Sequence, residues 1–106
     1  MEGAEDGIVS VYVIADLDVK DLEELSKYAE KAPATVAAQG GKYLVRRGKA
    51  EVLEGNWKPK SLTILEFPSW AAAKAWYNSE EYRRIIDIRK RAAPTDLVWV
   101  EGLPTH

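Results

Sequence analysis

Cysteine is missing from these 106 residues, and histidine occurs once, as the final residue, His106. Without cysteine there is no disulfide frame, no thiol nucleophile and no Cys-type metal site, which fits a reducing, cytoplasmic setting. Without a histidine inside the domain, a His-based triad, a His-ligated haem or zinc and a His general base all lack their central residue. Chemistry is left to Asp, Glu, Arg, Lys, Tyr or Trp; no metal or cofactor is expected, short of a borrowed one. Charge of one sign is also lacking. Lys and Arg number 15 against 17 Asp and Glu, a net −2, the wrong balance for binding nucleic acid by counterion release. The longest apolar run, Ile8–Leu17, is interrupted by Ser10 and Asp16 and is too short to cross a bilayer. The acidic stretch Met1–Gly7 is the opposite of a secretory leader and is expected to be a disordered tail.

What remains is ordinary globular composition, 46% hydrophobic and 30% charged, in a chain of single-domain length. The domain is expected over residues 8–102, with 103–106 as a second tail. Its middle is Ser61–Tyr82, where a strand at Leu62–Phe67 breaks at Pro68 and Ser69 caps a helix starting at Trp70. A break at Asn78-Ser79 lets Ser79 cap a further segment, Glu80–Ala92. Glu80 and Glu81 suit its positive end, and Arg89, Lys90 and Arg91 its negative one.

The flanks repeat this grammar. Ile8–Leu17 is β-branched, as a central strand should be. A helix follows behind Asp18 and Asp21, with Leu22, Leu25, Ala29, Ala32 and Val36 on one stripe. Pro33 is expected to kink or restart it, and Gly40-Gly41 to end it. Lys42–Arg47 and Ala50–Leu53 flank Gly48-Lys49 and read as a hairpin. The last strand is Asp96–Glu101. The order β-α-β-β-α-β predicts a ferredoxin-like α+β domain, one antiparallel sheet with helices on one face.

Alternation along the strands sorts residues into faces. With the smooth aliphatic sets under the helices, the open face gathers Tyr12, Ile14, Asp16, Leu44, Arg46, Leu62, Ile64, Glu66, Leu97 and Trp99. A face that apolar is expected to be buried against a second copy, giving a homodimer packed sheet to sheet.

The runs YVIADLDVKD, YAEKAPATVAAQGGKYLVRRG, EVLEGNWKPKSLTILEFPS, AWYNSEEYRRI and DLVWVEG resemble, in that order, the small bacterial proteins grouped as domain of unknown function 1330. The likeness spans about residues 11–102. It implies the ferredoxin-like fold and a dimeric α+β barrel, within a superfamily that includes cofactor-free monooxygenases, isomerases, haem-handling enzymes and stress-responsive barrels. It implies no reaction, because fold alone does not carry one. Family members often carry a histidine before the paired glycines. Here Gln39 stands there, and an amide does not titrate.

Two readings of function stay open. In the first, a cofactor-free enzyme acts on an aromatic or enolisable acid. Arg46 fixes the carboxylate, Glu66 moves a proton, and Asp16 and Tyr12 assist. Trp57, Trp76, Tyr77 and Tyr82 form an aromatic mouth, with Trp99 available to stack. In the second, the module is not catalytic. Arg46 and Glu66 are then a buried ion pair at the dimer seam, Asp16 caps a turn, the helical aromatics are core and Trp99 anchors the dimer. Arg83, Arg84, Arg89, Lys90 and Arg91 read as a solvated helix surface.

Overall fold

A computed structural model describes residues 9–104, so the expected tail 1–7, Ile8 and His106 lie outside the described residues. Within them the elements run β1 (Val11–Leu17), α1 (Leu22–Ala38), β2 (Lys42–Gly48), β3 (Leu62–Phe67), α2 (Trp70–Asn78), α3 (Glu80–Ala92) and β4 (Thr95–Glu101). The strands form one antiparallel sheet in the order β2-β3-β1-β4. This is the expected ferredoxin-like α+β arrangement.

The helix ends follow the sequence signals. Asp21, Ser69 and Ser79 each accept a backbone N–H at the start of α1, α2 and α3. Gly40, at φ 79°, ends α1, where the amides of Gly40 and Gly41 return to the carbonyls of Ala37 and Val36. Gly41 is needed for a different reason: a Cβ there would lie 2.4 Å from the Phe67 ring. Pro33 does not restart the helix, because α1 runs unbroken through it. Burial of Ala32, Thr35 and Val36 on either side of the proline holds the turn together despite the lost hydrogen bond.

The expected hairpin does not form. Residues 50–53 contain no strand, and the chain from 49 to 61 leaves the sheet before returning as β3. β3 occupies the inner edge of β2, so a second arm would have only the outer edge to pair with.

The registers define two faces. On the helix side, Tyr43, Leu65, Val13 and Trp99 stand in one row across the sheet, with Thr63, Ala15 and Leu97 beside it. On the open side the matching row is Val45, Ile64, Ile14 and Val98, all β-branched. The expected faces are thus corrected at both edges. In β4, Leu97 and Trp99 lie under the helices, and Val98 and Val100 are exposed. In β2 the register shifts between Tyr43 and Val45, so Val45 opposes Ile64 and Arg46 follows on the helix side.

Between sheet and helices the core is built on Phe67, Trp76 and Tyr82, with Val11, Val13, Val36 and Leu65. Trp76 is 1% exposed. Its ring lies 4.4 Å from that of Tyr82 and 5.4 Å from that of Phe67. Its indole N–H donates to the Thr35 hydroxyl at 3.1 Å, which satisfies the one polar group the ring takes inside.

Candidate ligand site

The helix layer does not seal against the sheet everywhere. One cavity, of about 100 Å³, lies between α1 and the sheet and is walled mainly by apolar groups from Val13, Ala15, Leu25, Ala32 and Leu65, with Tyr28 and Tyr43. A second, of about 430 Å³, opens where α3 ends and β4 begins, between Tyr77, Pro94, Thr95, Leu97 and Trp99. Arg89 and Leu97 line both. The volumes decide their roles. Ligand pockets run from about 300 to 1,000 Å³, so the second cavity is of ligand size and the first takes only a small group.

Arg89 comes from the last turn of α3, on its buried stripe, which reads Tyr82, Ile85, Ile86, Arg89 and Ala92. It is 5% exposed. Its Nε has no hydrogen-bond partner, and among the described residues no carboxylate forms an ion pair with it. Nearby, the hydroxyls of Tyr28 and Tyr82 meet at 2.8 Å. Burial, reinforced by Tyr82, pushes the Tyr28 phenol far above its ordinary range, so it stays neutral. Burial also raises Tyr43, against the opposing charge of Arg46. Among the described residues the other unpartnered buried donor is the indole Nε1 of Trp99. Helical spacing alone places Arg89 on the Tyr82–Ile86 stripe, so its burial was readable; its position among three basic residues at a helix end hid it.

The expected catalytic set is not brought together. Arg46 stands on the helix side, its guanidinium 4.2 Å from the centre of the Tyr43 ring, at the edge of the first cavity. Glu66 is on the open side, opposite Tyr12 and Lys42. It takes a hydrogen bond from the Tyr12 hydroxyl at 3.3 Å and an ion pair from Lys42 at 3.5 Å. The bulge in β2 is what separates Arg46 from it. Asp16 caps no helix. One carboxylate oxygen accepts the amides of Lys60 and Ser61 at 2.7 and 3.1 Å, and the other accepts the Trp57 indole at 3.2 Å. Desolvation pushes this carboxyl up, but the Ser61 and Lys60 amides and the Trp57 indole outweigh it and hold it below its ordinary value. It clamps the return of the 49–61 segment.

The aromatic mouth divides likewise. Trp76 and Tyr82 are core, while Trp57 is 59% exposed and lies with Asp16. Tyr77 and Trp99 meet edge to face at 5.9 Å in the second cavity. Gln39 is the C-terminal cap of α1 and lines neither cavity. Among the described residues no cluster of acidic residues is placed to hold a metal ion, and no helix is long and apolar enough to cross a membrane.

An antiparallel sheet covered by helices on one face, in the strand order β2-β3-β1-β4, defines a ferredoxin-like α+β protein, here with an open, ligand-sized cleft where α3 gives way to β4. The chain belongs to the family described as domain of unknown function (DUF1330), whose model matches residues 10–103. No curated protein matches it. Among solved structures, it is similar to a protein of unknown function from Rhodopseudomonas palustris. That match has a TM-score of 0.69 and 20% identity, and covers 94% of this chain and 85% of the other. A conserved Methanosarcina mazei protein matches with a TM-score of 0.56 and 16% identity, covering 97% of this chain and 100% of that one. A Bacteroides thetaiotaomicron protein of unknown function, described as a "possible oxidoreductase", matches at 0.55 and 13% identity, covering 91% and 98%. At these identities the likeness is one of fold.

Proposed function

We propose that this protein is a homodimeric binding protein that holds a small apolar or aromatic acid between its helices and its sheet. The observation that carries this reading is the ligand-sized cavity between α3 and β4, walled by Tyr77, Pro94, Leu97 and Trp99. Apolar walls with a few polar groups are what a small organic ligand needs. Binding is favoured over turnover because the groups that would move protons are engaged elsewhere. Asp16 holds the loop, and Glu66 is committed to Tyr12 and Lys42 on the opposite face from Arg46. The dimer rests on the open face, where Val98 and Val100 are exposed beside Ile14 and Ile64, a patch that a second copy would cover.

Fluorescence titration with 1-anilinonaphthalene-8-sulfonate, an aromatic acid, tests the cavity. Saturable enhancement at one probe per chain is expected, and Thr95→Trp, which fills the cavity from its partly exposed edge, should abolish it. Absence of a saturable signal, or an unchanged one in Thr95→Trp, would overturn the reading.

A further inference from the structure

A guanidinium removed from water without a counter-charge is expensive, and proteins seldom keep one without a use for it. Arg89 is such a group: 5% exposed, with Nε unpartnered and no ion pair among the described residues. A few residues along the chain, Trp99 keeps its indole N–H buried and equally unpartnered. Arg89 and Trp99 line the same cavity with Lys90 and Thr95, and their unpartnered nitrogens lie just beneath its wall, closed to water, so a ligand reaches them by a small shift of the side chains. Both orphaned groups are donors, and both belong to side chains that cannot accept. Their common complement is an acceptor-only, negatively charged group.

We propose that Arg89 and Trp99 together form the receptor for the carboxylate of the bound ligand, with its apolar body lying against Tyr77, Leu97 and Pro94. The assignment rests on the reading of the chain as a small-molecule binder and adds which end of the ligand is recognised and by what. Arg89 supplies the charge and a planar fork that matches a carboxylate. Trp99 supplies one further directed hydrogen bond, and Lys90 strengthens the field at the mouth. The inner cavity beyond Arg89, about 100 Å³, sets a limit on any substituent that passes the guanidinium. A neutral isostere such as an amide brings donors of its own to a site that offers only donors. It is rejected for that reason.

Nitrogen-15 NMR reads both groups directly. The protein has four tryptophans, and Trp99→Phe identifies the Trp99 indole signal by its loss. Titration with sodium benzoate, against benzamide and against sodium chloride at equal ionic strength, should move the Trp99 indole and Arg89 Nε signals saturably. Benzoate should act at a concentration at least about tenfold lower than benzamide. Arg89→Met should lose the benzoate response yet melt, without ligand, at the same temperature as the parent or higher, because it removes a buried unpaired charge. Equal midpoints for benzoate and benzamide, or a shift that sodium chloride reproduces, would overturn the carboxylate assignment and leave the binding reading standing. So would silence toward benzoate in a protein that still binds anilinonaphthalenesulfonate. Silence toward all three organic probes would sink both. An Arg89→Met protein that melts several degrees lower would make Arg89 a structural support and end the proposal.

Discussion

The two faces of the sheet each carry an apolar row but put it to different use. On the helix side, the row Tyr43–Leu65–Val13–Trp99 meets α1, α2 and α3 and is closed by large aromatics, several with a polar atom that finds a specific partner. Trp76 donates to Thr35, and Tyr28 meets Tyr82. On the open side, the row Val45–Ile64–Ile14–Val98 is smooth and β-branched, and its neighbouring row turns polar through Lys42, Glu66 and Tyr12. The covered face is irregular enough to leave cavities and to hold a buried arginine. The open face presents a β-branched strip, and an exposed apolar strip of this kind suits a surface that repeats against itself. One face specifies the folded chain and carries the proposed ligand site; the other is the face proposed for assembly.

The sharpest way to break this contrast is to remove the centre of the covered face. Trp76→Ala should cost about 3–5 kcal/mol, the usual range for deleting a fully buried large aromatic, and so a large part of the stability of a domain this size. Urea denaturation measures it. A loss under about 1 kcal/mol would mean that the aromatic cluster is not the core. The open face should answer differently. Val98→Lys puts a charge at the end of the β-branched row, where the side chain is already 55% exposed. It should convert a dimer to a monomer in sedimentation at micromolar concentration while far-ultraviolet circular dichroism stays unchanged. The cost to the isolated fold should stay within about 0.5 kcal/mol, as for other surface changes. A dimer that persists in Val98→Lys would remove the sheet-to-sheet proposal.

How far these faces were legible in the sequence depends on what alternation can say. It separates Leu97 and Trp99 from Val98 and Val100 with certainty, but does not say which pair faces inward. Aliphatic smoothness proved the wrong criterion, because the inner layer has room for a tryptophan that Tyr77 and Trp70 meet edge to face. In β2 the alternation itself fails. A bulge adds a residue without a composition signal, so Val45 and Arg46 change sides, and a second shift before Gly48 breaks the alternation again. Caps were readable because they are local: Asp21, Ser69, Ser79 and Gly40 act on amides or carbonyls within a turn. Asp16 was not, because its partners lie 41 to 45 residues away at the far end of a loop.

Asp16 also gives the smallest and most specific test of the open side, where it forms the last pair of β1 with β3, opposite Leu62. Its carboxyl is held below the ordinary value in the folded protein. The stability it adds is therefore fully present above the unfolded value of about 3.9 and is lost as pH falls through the lower, folded value. The residue is partly exposed, so solvent screening limits the effect to about 1 kcal/mol. Asp16→Asn keeps an acceptor for the Lys60 and Ser61 amides but loses the charge and the Trp57 bond. At neutral pH it should be less stable than the parent by about that amount, and the gap should close as both are taken to pH below about 4. Denaturant melts of the two proteins across that range decide it. A gap that stays constant down to low pH would mean that the Asp16 contribution is geometric rather than ionic, and that the loop is held by the shape of the acceptor alone.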